Sequence, residues 1–158
     1  MAPFSIWGCL RACGGHAGLS FMTLHRVDFA TLTRPKTPNT FLMAPEGLCT
    51  AANVDQAPPT FAVTPSKLRQ AFLSVVISQP RVSHTLADEM EVYDDFVVRS
   101  ALFHFPDLVS VQFLPDGKRA TLAIYSRSVY GRSDLGVNRA RCLRWLKLVD
   151  AAVKPPSS

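Results

Sequence analysis

The stretch VSVQFLPDGKRATLAIYSR, residues 109–127, reads as a β-hairpin. Val109, Val111 and Phe113 recur at every second position on the way in, and Leu122 and Ile124 do so on the way out. Between them lies Pro115-Asp116-Gly117-Lys118, a turn with a stated mechanism, because glycine adopts positive φ without a steric penalty. Upstream, Glu91 to Phe103 alternates again. Val92, Phe96, Val98 and Leu102 fall on one face, while Glu91, Tyr93, Asp95, Val97 and Arg99 fall on the other. Asp94 interrupts the first set and marks a place for a bulge. Arg81 to Ala87 supplies a further strand with Val82 and Leu86 inward, followed by a turn at Asp88-Glu89. Phe105-Pro106-Asp107 breaks the pairing between strands.

Helices flank this run. Thr64 is suited to an N-cap and Pro65 to the first helical position. Leu68, Phe72, Val75, Val76 and Gln79 recur at three- and four-residue steps, so an amphipathic helix is expected from Pro65 to Ser78, stopped by Pro80. A short edge strand is expected at Phe61-Ala62-Val63. After a loop from Ser128 to Gly136, Asn138 is the expected N-cap of a last helix ending near Val153. Cys142, Leu146, Val149 and Val153 form its apolar stripe, and Arg141, Arg144 and Lys147 step along another face. The expected fold class is α+β in the order β-α-β-β-β-β-α. An antiparallel sheet of four to five strands carries both helices on one face, an order compatible with a helix-grip arrangement.

The chain has 158 residues, of which 47% are hydrophobic and 18% charged, which excludes disorder throughout and bounds the chain to about one domain. Residues 1–21 lack periodicity and are expected to be a disordered extension, with Met22 an alternative translation start. Residues 22–60 read as a proline-rich extended arm anchored by Phe41, Leu42 and Met43. The α+β domain is expected over 61–153, with a frayed tail over 154–158. No signal peptide or lipoprotein cleavage site is legible, and no apolar run is long enough for a transmembrane segment, so a cytoplasmic location is the default expectation. Cys9, Cys13, Cys49 and Cys142 make no disulfide framework. Cys9, Cys13, His16 and His25 have the residue types of a zinc site without its spacing, so no metal and no cofactor are expected.

The formal charge is +5. Nine basic residues against two acidic ones fall between Lys118 and Lys154, leaving the rest of the chain slightly acidic. That balance suits an anionic partner, or simply a solvated arginine-rich face. Nucleic acid is not the expected partner, and the oligomeric state is open.

The segment SRSVYGRSDLGVNRAR, residues 126–141, resembles the ending of the DUF1499 family, which runs approximately S-R-S-R-x-G-x-x-D-x-G-x-N-x-x-R. RSALFHFPD, residues 99–107, is similar to that family's R-S-x-x-x-x-F-x-D element. The resemblance spans about residues 28–152. It implies an uncharacterised protein and brings no reaction with it. Many members carry an S-P-N-C element near the start; here Thr37-Pro38-Asn39-Thr40 lacks the cysteine.

The motif residues admit two readings. Arg127, Arg132 and Arg139, with Ser133, Asp134 and Asn138, could hold a small anionic ligand at a glycine-bounded loop and an open helix N-terminus. Arg99 belongs to the same set, and Tyr125 and Tyr130 stand near it. Alternatively, Asp107 and Asp134 pair with the arginines and lock the loop to the sheet, Asp134 with Arg127 first among them, leaving Arg132 and Arg139 facing solvent or ligand. The expected function is therefore a non-enzymatic binding or accessory domain with an anion at the Arg127–Arg139 loop. A second reading is a carrier of an apolar molecule in a cavity lined by Phe72, Phe96, Phe113 and Trp145. A third is an enzyme using Asp134 with an arginine in a cleft. His84 and His104 read as packed histidines, and the adjacent carboxylates Asp94 and Asp95 should point to opposite faces.

Overall fold

The computed structural model describes residues 26–154. The expectations for residues 1–21, for the Cys9–His25 cluster and for residues 155–158 lie outside the described residues. The elements are β1 (Thr40–Met43), α1 (Pro65–Ile77), β2 (Val82–Asp88), β3 (Tyr93–Arg99), β4 (Pro106–Asp116), β5 (Arg119–Ser128) and α2 (Val137–Val153). The strands form one antiparallel sheet in the order β1-β5-β4-β3-β2, and both helices pack on the same face of it. This is the α+β architecture and element order expected from the sequence.

The β4–β5 hairpin is the centre of the sheet. Its register runs unbroken from Asp107 opposite Ser128 to Asp116 opposite Arg119, and Gly117 in the turn has φ of +58°. Alternation sends Val109, Val111 and Phe113 from β4, and Ala120, Leu122 and Ile124 from β5, toward the helices. The helices answer with Leu68, Phe72 and Val76 from α1 and Cys142, Trp145, Leu146 and Val149 from α2. Phe72 is the hub, with ring centroids 5.4 Å from Phe113, 6.0 Å from Phe96 and 6.0 Å from Trp145. α1 begins as expected: the Thr64 hydroxyl accepts from the backbone N–H of Lys67, and Pro65 opens the helix.

The second face of the sheet is buried as well. Phe29, Leu42 and Ala44 from the N-terminal arm pack with Tyr93, Ala123 and Tyr125. The arm does more than lie on the domain: Thr40–Met43 pairs with Arg127–Ile124 of β5 and becomes an edge strand. The edge strand expected at Phe61-Ala62-Val63 is reduced to one bridge, Phe61 to Ala120.

β3 is shorter than expected. It ends at Arg99 because the next residues turn back, with Ser100 N–H donating to the carbonyl of Phe105 and Phe105 N–H to the hydroxyl of Ser100. Leu102 is therefore exposed instead of inward. The bulge falls in β2 between His84 and Leu86, not at Asp94. Asp94 shares the core face with Phe96, and its carboxylate is satisfied there by two partners. Arg69 donates to it twice, at 2.6 and 2.9 Å, and His84 Nε2 lies 2.8 Å away.

Replacing Gly117 tests the hairpin. A Cβ there meets nothing within 4 Å, so Gly117→Val strains the backbone alone. Chemical denaturation should show a loss of about 1 kcal/mol or more.

Candidate functional site

The motif residues form one buried network. Asp107, near the start of β4, pairs with Arg141 of α2. The same guanidinium donates through Nη1 to Asn138 Oδ1 at 2.8 Å and to Ser126 Oγ at 3.0 Å. Ser126 in turn donates to Asn138 Oδ1. Asn138 Nδ2 donates to the Asn39 carbonyl and to Ser128 Oγ, both at 3.0 Å. Asn39 Nδ2 donates to the Gly131 carbonyl at 2.9 Å. Asn39, Asp107, Ser126, Asn138 and Arg141 are all buried. This arrangement ties the approach to β1, strands β4 and β5, the loop and α2 into one unit.

Asn138 is thus not the N-cap of α2. The cap position falls two residues earlier, on Gly136 at φ of +80°, and the helix starts at Val137. Asp134 does the capping: its oxygens accept from the N–H of Gly136 at 3.0 Å and of Asn138 at 2.8 Å. The carboxylate also places negative charge at the positive end of the helix dipole. Both oxygens of Asp134 are engaged, so the side chain serves the fold and does not pair with Arg127. Ser133 accepts from the N–H of Leu135.

The expected arginine set does not converge on one point. Arg127 lies on the arm-covered face, its guanidinium 5.2 Å from the Tyr125 ring centroid and its Nη1 enclosed without a hydrogen-bond partner among the described residues. On that face burial pushes the Asp95 carboxyl above its ordinary value, opposed by hydrogen bonds from Ser110 and Tyr93 and by the charge of Arg127. Burial likewise pushes the Tyr93 hydroxyl up to about 12. Arg132 and Arg139 are exposed, on the loop and at the start of α2, and enter no ion pair among the described residues.

A different set of arginines does meet. A cleft of about 520 Å³ opens between the end of α1, the β3–β4 loop and the first half of α2. Arg81, Arg99, Arg141 and Arg144 line it against one carboxylate, Asp107. Two of these side chains are held by carbonyls: Arg81 Nε donates to Arg99 O and Arg99 Nη1 to His104 O, each at 3.2 Å. Arg144 is exposed and forms no ion pair among the described residues. Trp145 also lines the cleft, and its buried indole N–H has no partner among the described residues. Arg81, in the cleft, and His104, on the β3–β4 loop beside it, take left-handed backbone conformations. Such strain concentrates at functional sites. Arg144 and Arg99 were visible in the sequence as a helix face and a motif position. Arg81 was not singled out, and its only signal was its place directly after the helix-stopping Pro80.

His84 pairs with Asp94, whereas His104 is exposed and not packed as expected. Asp94 and Asp95 point to opposite faces, as alternation requires. Burial pushes the Cys142 thiol up to about 12, so it behaves as an inert core side chain. Phe72, Phe96, Phe113 and Trp145 are buried in the core, with Phe72 against Phe113 and Phe96 against Trp145. Among the described residues no group of three or more His, Cys, Asp or Glu could hold a metal, and no helix is long and apolar enough to cross a membrane.

An antiparallel sheet holding a long C-terminal helix, with the element order found here, defines the helix-grip class. The chain belongs to the family described as protein of unknown function (DUF1499), whose family model matches residues 31–149. The crystal structure of Ara h 8.0201 is similar in fold, with a TM-score of 0.50 and 11% sequence identity, covering 72% of this chain and 96% of that one. No curated protein matches the chain.

Removing Arg141 strands Asp107 inside the fold, so Arg141→Gln should cost about 3 kcal/mol or more in urea unfolding. Arg132→Gln, at the exposed loop, should change stability by less than about 0.5 kcal/mol. Asp95 supplies a pH test. Its folded pKa is raised, so its contribution is present below the unfolded value and lost as pH rises through the folded one. Relative to the native chain, Asp95→Asn should therefore gain stability on going from acid to neutral pH, measured by melts across that range.

Proposed function

We propose that this domain binds a small anionic ligand, a phosphate or carboxylate, in the cleft between α1, the β3–β4 loop and α2. The supporting observation is the convergence of Arg81, Arg99, Arg141 and Arg144 on one cleft that contains a single carboxylate. Like charges gathered this closely repel, and an anion relieves that repulsion. Arginine forks suit planar carboxylate and phosphate oxygens, because two parallel N–H groups meet two oxygens. The roles divide. Arg141 is committed to Asp107 and fixes the wall, while Arg81 and Arg99 are pre-oriented by carbonyls. Arg144 is the cleft arginine with neither an ion pair nor a carbonyl holding it.

This reading moves the ligand away from Arg127 and from the N-terminus of α2, where Asp134 already occupies the donors. Arg132 and Arg139 contribute field, not direct contact. The function is binding, with no residue assigned to a chemical step.

Thermal unfolding of the full chain with added phosphate, sulfate and citrate tests the proposal. At ligand concentrations well above Kd the melting temperature should rise by several degrees. Arg144→Gln should weaken the response about tenfold in concentration, since a charge-assisted bond is lost, while leaving the unliganded melting temperature in place. No response to any of these anions, or an equal response from Arg144→Gln, would overturn it.

A further inference from the structure

Phe103 and Phe105 stack at 5.4 Å between centroids, and Phe105 meets Tyr130 at 5.5 Å. None of the three is needed by the core: they are 67, 49 and 58% exposed. They sit on two loops, β3–β4 and β5–α2, held together where Val129 N–H donates to the carbonyl of Pro106. Leu102 and Leu135, on the same loops, are 77 and 94% exposed. Leu102 is turned out to this tip by the Ser100–Phe105 hydrogen bonds that end β3. A soluble surface rarely gathers large apolar side chains in one place without a use for them.

The charges around the tip have one sign. Arg99 holds the carbonyl of His104 at its base, Arg132 follows Tyr130 by two residues, and Arg139 is exposed in the first turn of α2. The β3–β4 loop contains no acidic residue, and Asp134, the acidic residue of the other loop, is consumed by the helix N-terminus. We propose that the Phe103–Phe105–Tyr130 tip docks this domain onto an anionic lipid bilayer, with the aromatic rings in the interface and the arginines on the headgroups. Aromatic rings partition to the boundary between acyl chains and headgroups. Basic side chains near that plane are attracted to acidic lipids. Exposed aromatic rings with arginines on the same loops and in the adjoining helical turn match both layers at once, and a loop can enter a bilayer surface that a flat face could only touch. This docking stands apart from the cleft reading and does not require it.

The test is co-sedimentation of the full chain with phosphatidylcholine vesicles, with and without phosphatidylserine. The chain should sediment with the phosphatidylserine vesicles, bind the neutral ones weakly, and be released by salt. Phe103→Ser with Phe105→Ser should reduce the partition about tenfold or more, and Arg132→Gln with Arg139→Gln should remove the preference for phosphatidylserine. Because all four side chains are exposed, the melting temperatures of the variants should match the native one, which keeps a loss of binding interpretable. Absence of binding to phosphatidylserine vesicles, or undiminished binding by the Phe103/Phe105 variant, would overturn the proposal. So would a dimer that this variant splits while vesicles have no effect, because the tip would then be a contact between protein chains.

Discussion

Asp107 and Arg141 are taken out of water together, and the organisation of this domain's end follows from how that cost is met. Burying two ions costs several kcal/mol each, and their mutual attraction repays it only if the remaining donors and acceptors are also paired. Ser126 and Asn138 supply those partners from β5 and α2. Asn138 is in turn fixed by the Asn39 carbonyl and by Ser128. Each member therefore needs the next, and the chain cannot place α2 against the sheet without also placing the loop and the approach to β1. Ser126, Ser128, Asn138 and Arg141 of the family's ending are members of this interlock, while Asp134 of the same segment caps α2.

Once those groups are committed to the fold, the remaining arginines separate by what holds them. Arg127 is spent on the Tyr125 ring, on the face the arm covers. Arg81 and Arg99 are braced by carbonyls at the cleft. Arg132, Arg139 and Arg144 are exposed. The excess positive charge of the C-terminal third is thus not spread evenly. Arg132, Arg139, Arg141 and Arg144 gather at the end of the sheet where the α1–β2 turn, the β3–β4 loop and the β5–α2 loop lie, while Lys118 and Arg119 stand at the β4–β5 turn at the other end.

Local patterns carried most of the fold. Alternation and the Pro115–Lys118 turn located β4 and β5, and Thr64-Pro65 located the start of α1, because those signals act within a few residues. β1 escaped because four residues among prolines show too little alternation, and its pairing is decided by β5, far along the chain. Leu102 misled because the apolar pattern ran past the end of β3, and only the Ser100–Phe105 hydrogen bonds reveal the turn. The site was less legible. Which aspartate meets which arginine depends on the face each occupies, so Asp107 with Arg141 and Asp134 with the helix N–H groups could not be read from order along the chain. The arginine excess was visible, but its convergence with Arg81 depends on where the helix-stopping Pro80 delivers the backbone.

The arm has a consequence for the order of assembly. The pairings β2–β3, β3–β4 and β4–β5 are each between neighbours in sequence, whereas Asn39 and Asn138 meet from positions 99 residues apart. Closing so long a loop is entropically costly before its contacts form, so neighbouring hairpins precede it in folding. Until the arm arrives, β5 is an open edge with its backbone groups unpaired, and Ala123 and Tyr125 face water. An edge of that kind accepts any matching strand, including the same segment from another molecule. The arm therefore acts as a late-arriving cover that ends the interval in which two nascent chains can exchange strands.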